Sequence, residues 1–415
     1  MQIKSGSFFR NLKTFDSLKN PAFRSYYSGL LCNMVSMNIQ IVARSLLIYR
    51  LTGSAAILGL LALSHALPMV CLSLFGGVIA DRLPKKQVLV VGHGCLSVIA
   101  FAVALSLALG YLRAENAGSW WILLAAALAQ GIVMGLMVPS RQAIISELVG
   151  GKLLMNAVAL NVFGMNTARI MAPAAAGFLI DSIGFAVIYY VMTGLYMAAG
   201  IFFSFIPRSG PRAGSRRTVL SDMKSGVAYV RKNVTILFLL VFTLFVICLS
   251  MPYMALMPIF TDDILKVGAT GMGTLISLSG IGAIASSVIL ASLPNKKRGA
   301  ILIGSSLLMA LALIGFSFSS SYYLSMVLIV FVGMGQAGRA TLANTLLQYY
   351  VDEAYRGRVM SIYIMEFGLR SFGVFLAALL AEEIGVQWSI GGLAVILVIV
   401  SLAAFLFVPR LRRLE

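Results

Sequence analysis

Glu366 is the one acidic residue deep inside an apolar run of this 415-residue chain, and Arg370 follows it four positions later. On a helix that spacing puts both side chains on one face, within reach of an ion pair. Desolvation and a neighbouring cation act in opposite senses on the protonation of a carboxylate so placed. Glu366 with Arg370 is therefore a candidate proton-coupling pair; the alternative is a permanent ion pair that only locks helix packing. Asn33, Met37, Gln40 and Arg44 recur at i, i+4, i+7 and i+11, which is one face of a helix. That face is expected to line a cavity; otherwise it serves as hydrogen-bonding glue between helices, with Arg44 reaching for headgroups. Arg169 and Arg339 complete a set of four embedded arginines, and Gln336 stands three residues before Arg339. Four cations against one acid suit an anionic substrate group such as a carboxylate or phosphate, unless some of the arginines bond backbone carbonyls at helix breaks. His65, three residues before Pro68, is a candidate proton relay or else a hydrogen-bonded packing residue.

The elements that position these groups follow from composition. The chain is 60% hydrophobic and 11% charged, with mean hydropathy +0.95, against roughly 25% charged residues in soluble domains. Its apolar runs last about twenty residues, the length that crosses hydrocarbon as a helix, and they lack the alternation of a membrane β-barrel. Twelve spans are predicted at 25–50, 55–80, 87–111, 120–140, 155–180, 184–206, 235–260, 270–294, 299–319, 322–347, 359–381 and 386–408. The expected fold is an all-α membrane protein with twelve transmembrane helices in two pseudo-symmetric six-helix bundles. The bundles fall at 1–206 and 235–415, joined by a basic linker at 207–234. Apolar residues at helical spacing in the second part of that linker predict a short amphipathic helix.

Charge sets the orientation. The net charge of +18 would suit nucleic acid if it were clustered on one surface. Instead, 25 of the 32 Lys and Arg lie in alternate loops and termini, while the opposite loops hold only Arg50, Arg113 and Lys266. This is the positive-inside pattern of a multi-pass plasma (inner) membrane protein with both termini cytoplasmic, and no nucleic-acid partner is expected. No apolar core precedes the first span, so no cleavable signal is expected. Cys32, Cys71, Cys95 and Cys248 lie within spans without metal or disulfide spacing and are expected to act as small packing residues. No nucleotide loop or nucleophile with a base is present, so neither an enzyme nor a cofactor is expected.

A shift of 201 residues superimposes NAVALNVFGMNTAR (156–169) on GRVMSIYIMEFGLR (357–370), aligning Arg169 with Arg370. The loop DRLPKK (81–86) has a counterpart in SLPNKKR (292–298). Two parallel repeats of this kind are a standard transporter design, with the substrate site between them near the midplane.

The stretch from Gly77 through Asp81, Arg82, Pro84 and Lys85 to Lys86 resembles the G-x-L-A-D-R-x-G-R-K loop of the major facilitator superfamily. The resemblance implies that Asp81 caps a neighbouring helix while Arg82 and Lys86 share its charge network, forming a gating latch; Pro84 replaces the usual Gly. NPAFRSYY (20–27), YRLTGS (49–54), VPSRQAIISELV (138–149), NAVALN with ARIMAP (156–173) and DEAYRGRVMSIY (352–363) are similar to the branch containing macrolide-efflux proteins and the enterobactin exporter. Ala172 to Gly177 resembles a degraded G-P-x-x-G-G exporter motif, or forms a proline kink in a small-residue interface.

These observations imply a proton-coupled secondary exporter of an amphipathic small molecule, drug or siderophore, working by alternating access as a monomer in contact with membrane lipid. Import of an anionic metabolite, movement of a lysophospholipid, and a non-transporting membrane sensor are the competing expectations.

Overall fold

The computed structural model describes residues 13–207 and 219–414 except 117 and 295, without the side chains of 13–15, 74, 77–82, 143, 146, 151, 152, 219–224 and 367. Lipid offers no hydrogen bonds, so each span closes its own backbone as a helix. A 3-10 helix at Lys13–Lys19 leads into α1 (Pro21–Thr52), α2 (Ala55–Arg82), α3 (Lys85–Ala108), α4 (Trp121–Leu148) and α5 (Gly151–Ser204). Next come α6 (Val219–Lys232) and α7 (Val234–Ser250), which continues through the short turns α8 (Pro252–Ala255) and α9 (Met257–Ile259) and a π turn at Phe260–Ile264. The chain ends with α10 (Gly268–Ser292), α11 (Arg298–Phe318), α12 (Tyr322–Tyr350), α13 (Glu353–Ile384), α14 (Val386–Phe407) and α15 (Pro409–Arg412).

Local chemistry sets the ends of these helices. The Asn20 side chain accepts from Ala22 N–H at 2.9 Å, Pro21 fills the first position, and Gly53 closes α1 in the left-handed region at φ 63°. Asn233 and Ser321 cap α7 and α12 in the same way. Among the described residues, eleven helices are long and apolar enough to cross a membrane. One of them, α5, breaks at Gly184 (φ 85°, ψ 171°) and makes two passes, which gives twelve crossings. Gly385, between α13 and α14, holds nearly the same conformation (φ 84°, ψ 152°) exactly one 201-residue repeat later. The duplication is thus visible in the backbone as well as in the sequence.

Helices α1 to α5 form one bundle, and α7 with α10 to α14 form the other. They meet along two seams, α5 against α10 and α2 against α13. At the first seam Gly177 lies against the Ala269 carbonyl and Gly273 against that of Pro173, so closely that a Cβ at either would collide with backbone. The Ala172–Gly177 stretch therefore makes the close inter-helix contact that its small residues suggested.

Both seams are fastened at the end remote from α6. Asp181 accepts from Thr270 N–H at 2.8 Å, Thr270 Oγ1 at 2.7 Å and Ala269 N–H at 3.3 Å, capping α10 in the opposite bundle. Glu382, one repeat later, accepts from Ala56 N–H at 3.0 Å and Ser54 Oγ at 3.1 Å, capping α2 in return. Arg50 pairs with Asp262 at 2.8 Å, and Tyr49 donates to Asp263. The seams continue to Gly280 beside Ile170 and Arg169, and to Gly368 beside Val70. Toward the α6 end the same four helices carry exposed Phe75, Phe163, Val288 and Ile364.

Candidate functional site

Glu366 is buried at 4% exposure, but its partner is not the one its spacing suggested. Thr243 Oγ1 on α7 donates to Glu366 Oε1 at 2.7 Å. A cation whose field acts on this carboxylate is Arg339 on α12, itself 2% exposed and donating to Tyr363. The expected pairing of Glu366 with Arg370 is therefore corrected. The two share a helix, yet Glu366 turns into the second bundle while Arg370 is exposed, with its field reaching His65 on α2 across the seam. Arg339, expected in the substrate cavity, is instead buried inside the second bundle, where its field acts on Glu366. Glu366 Oε2 and Arg339 Nε and Nη1 make no hydrogen bond within the protein. The locus is polar and incompletely satisfied, a state that costs free energy in a dry interior.

The face of α1 divides. Asn33 is fully buried and contacts His93 Nε2 at 3.2 Å, and Gln40, also buried, donates to Gln130 and accepts from Tyr196 Oη at 3.2 Å. Arg44 Nη1 donates to Gln130 Oε1 at 3.2 Å. The expectation that Asn33 and Gln40 line a cavity is corrected, since α1 packs this face into its own bundle, where neighbouring helices satisfy it. Met37 remains exposed. The His65 Nδ1 lies 3.3 Å from the Ala127 carbonyl, which ties the ring to α4.

Arg169 and Gln336 are brought together. Arg169 Nη2 donates to Gln336 Oε1 at 3.2 Å between the bundles, and Gln336 Nε2 lies 3.6 Å from the Met251 sulfur. In the gating stretch the side chains of Gly77, Asp81 and Arg82 lie outside the described residues. Lys86 is half-buried, and the buried cation there is Lys85, which pairs with Glu147 at 2.6 Å. Cys71 and Cys95, expected in packing, are exposed on helix surfaces.

Sequence reasoning missed Gln130, Thr243, Asp181 and Glu382. Gln130 is a lone amide in an apolar run and could have been flagged. Asp181 and Glu382 fall under the same 201-residue shift that aligned the arginines. Thr243 carries no such signal, because a span threonine can satisfy its hydroxyl on its own helix, and the Leu239 carbonyl stands 3.0 Å from Thr243 Oγ1.

Two bundles of membrane-length helices packed along two seams are the architecture of a many-span membrane transporter of the major facilitator type, as the comparisons bear out. The family described as "Transmembrane secretion effector" matches residues 12–415, and the chain belongs to it. The chain is 23% identical to the Staphyloferrin A transporter of Staphylococcus aureus over 373 residues, covering 87% of this chain and 90% of the relative. It is 23% identical to Macrolide efflux protein A of Streptococcus pyogenes over 377 residues (88% and 90%). It is 26% identical to Enterobactin exporter EntS of Shigella flexneri over 352 residues (83% and 81%). A crystal structure of the nucleoside transporter NupG shares the fold with TM-score 0.74 at 13% identity, covering 92% of this chain and all of that one.

Proposed function

We propose that the protein is a proton-coupled exporter of an amphipathic small molecule of the drug or siderophore type, working by alternating access. The relatives' names support export of such molecules. The carrying observation is Glu366, a carboxylate sealed inside the second bundle, held by Thr243 and facing Arg339. A buried carboxylate with one hydrogen bond and one counter-charge can hold its proton in one arrangement of the helices and lose it in another.

The bundles at 1–206 and 235–415 rock about the central cleft, with 207–234 as the basic linker. The positive-inside bias supports a linker and both termini in the cytoplasm of a bacterium, with the protein in its plasma membrane. In that orientation the Asp181 and Glu382 caps fasten the two bundles together at the outer end. The stretch of Gly77, Asp81, Arg82 and Lys86 is the latch for the opposite state. His65, tied to Ala127, serves packing rather than proton relay.

Reconstitution into proteoliposomes with an imposed proton gradient tests this reading. Wild-type protein is expected to drive efflux of a substrate such as a macrolide or siderophore, whereas Glu366→Gln should keep exchange but lose coupling to the gradient. Unchanged gradient-driven transport in that variant would remove Glu366 from the mechanism.

A further inference from the structure

At the α6 end of the second bundle the helix ends form an open cavity of about 480 Å³. Tyr229 and Lys232 of α6, Val234 and Thr235 at the start of α7, Asp352 at the start of α13 and Arg410 of α15 line it together. Lys232 and Arg410 are exposed, and neither makes an ion pair or hydrogen bond among the described residues. The Thr235 hydroxyl is likewise without a partner among the described residues. Asp352 is the acid of the lining, and its Oδ2 already accepts from Tyr229 Oη at 3.0 Å. Two cations against one engaged carboxylate give the cavity a net positive charge, which suits an anion.

Depth and surroundings select the kind of anion. Helix α7 begins at Val234 and α14 ends at Phe407, so Lys232 and Arg410 each stand just outside a membrane-length helix. That is the level of lipid headgroups, where basic pockets between helices hold phosphate. From the cavity, exposed Val234, Phe238, Val241 and Phe245 climb one face of α7 at i, i+4, i+7 and i+11. Helix α14, packed beside α7, ends in exposed Leu406 and Phe407. A lipid phosphate in the cavity sets its acyl chains along this apolar surface, whereas a soluble phosphate uses none of it.

We propose that this cavity binds the headgroup phosphate of an anionic phospholipid, with Lys232 and Arg410 as its cationic contacts and the apolar stripe of α7 as the seat of an acyl chain. Lys232 belongs to the linker helix and Arg410 to the short helix after the last span, so the lipid bridges the two. Tyr229 carries the effect to α13: besides its bond to Asp352 it stacks on Tyr355, with ring centroids 4.3 Å apart. Occupancy therefore steadies the linker helix against a helix that forms one of the seams, whatever molecule the protein carries.

The test is lipid binding to the purified full-length protein in neutral detergent. Native mass spectrometry reads the bound fraction during titration with phosphatidylglycerol, phosphatidylcholine or soluble glycerol 3-phosphate. Phosphatidylglycerol is expected to bind roughly tenfold more tightly than either of the others. A near-surface cation contributes roughly fivefold to attraction for anionic lipid, so Lys232→Gln and Arg410→Gln should each weaken binding about fivefold and together about twenty-five-fold. Lys232→Arg with Arg410→Lys retains both charges and should retain the affinity, which separates lost charge from lost fold. Lys296→Gln with Lys297→Gln removes the same charge from exposed positions outside the cavity and should leave the affinity unchanged. Equal affinity for the two lipids, or for the soluble phosphate, overturns the proposal. So does an equal loss in the cavity pair and the control pair, which would mean diffuse attraction to a basic face and no site.

Discussion

The carboxylates Asp181 and Glu382 each cap a helix of the opposite bundle, and their removal should open the end they close. Asp181 accepts three hydrogen bonds at the start of α10, and Glu382 accepts two at the start of α2. A charged cap on a helix N-terminus contributes 0.3 to about 2 kcal/mol, and both residues are exposed, so about 1 kcal/mol each is the appropriate scale. Asp181→Ala and Glu382→Ala together should therefore shift the balance toward the opened state by about 2 kcal/mol, roughly thirtyfold. The two caps share no partner, so the effects should add within about 0.5 kcal/mol. Pulsed electron–electron resonance can read the shift from spin labels at Trp121→Cys and Tyr323→Cys, exposed positions at this end of the two bundles (61% and 80%). Cys32, Cys71, Cys95 and Cys248 are free and must first be replaced. A longer distance population is expected to grow in each single variant and to dominate in the double. If the distribution of the double variant matches that of the parent, the caps do not hold this end closed.

Three further outcomes follow from packing and charge. Gly184 and Gly385 hold φ near 85° with open space where a Cβ would stand; Gly184→Ala and Gly385→Ala should each cost about 1 to 3 kcal/mol from backbone strain alone, seen as earlier thermal unfolding in detergent. Glu366→Leu leaves the Arg339 charge buried and uncompensated, so it should lower stability by about 3 kcal/mol, and Glu366→Leu with Arg339→Met should recover most of that loss. Lys85→Met strands the largely buried Glu147 carboxylate in the same manner and should likewise bring earlier thermal unfolding, whereas an unchanged midpoint would mean the pair is screened by water.

The twelve crossings were legible because lipid imposes one rule on every span, and that rule is written in hydropathy. The repeat was legible at Arg169 and Arg370, where residue identity survives, but not at Asp181 and Glu382, where the two halves use different acids for one task. Polar partners inside the membrane were the least legible feature. Helical spacing says that Glu366 and Arg370 can meet, and it is silent on the third helix that offers something better. Thr243 and Arg339 arrive from α7 and α12, and only the packing of the second bundle brings them to Glu366. The same limit explains the face of α1, where Gln130 on α4 and Tyr196 on α5 claim Gln40 before any cavity can.

Separating Glu366 from Arg370 changes what coupling requires. Had the two formed an ion pair, an anionic substrate could have competed directly for Arg370 and released the carboxylate to take a proton. With Glu366 held by Thr243 in the field of Arg339, a substrate at Arg370 and a proton at Glu366 would touch different groups. They remain four residues apart on one helix, about 6 Å along the axis of α13. That helix also forms a seam with α2 and carries Glu382 at its far end. If Glu366 is the proton site, protonation weakens its hold on α7 and α12, and α13 is the element free to respond. A movement of α13 would displace Arg370 and Glu382 together, so one helix would link Glu366 to the cap at its far end. Coupling of this kind runs through the position of a helix and not through a shared charge. It predicts that Thr243→Val, which leaves every charge in place, should loosen coupling by removing the one hydrogen bond that ties Glu366 on α13 to α7. The readout is the ratio of protons moved to substrate exported in proteoliposomes. An unchanged ratio in Thr243→Val would return the coupling to direct competition among charges.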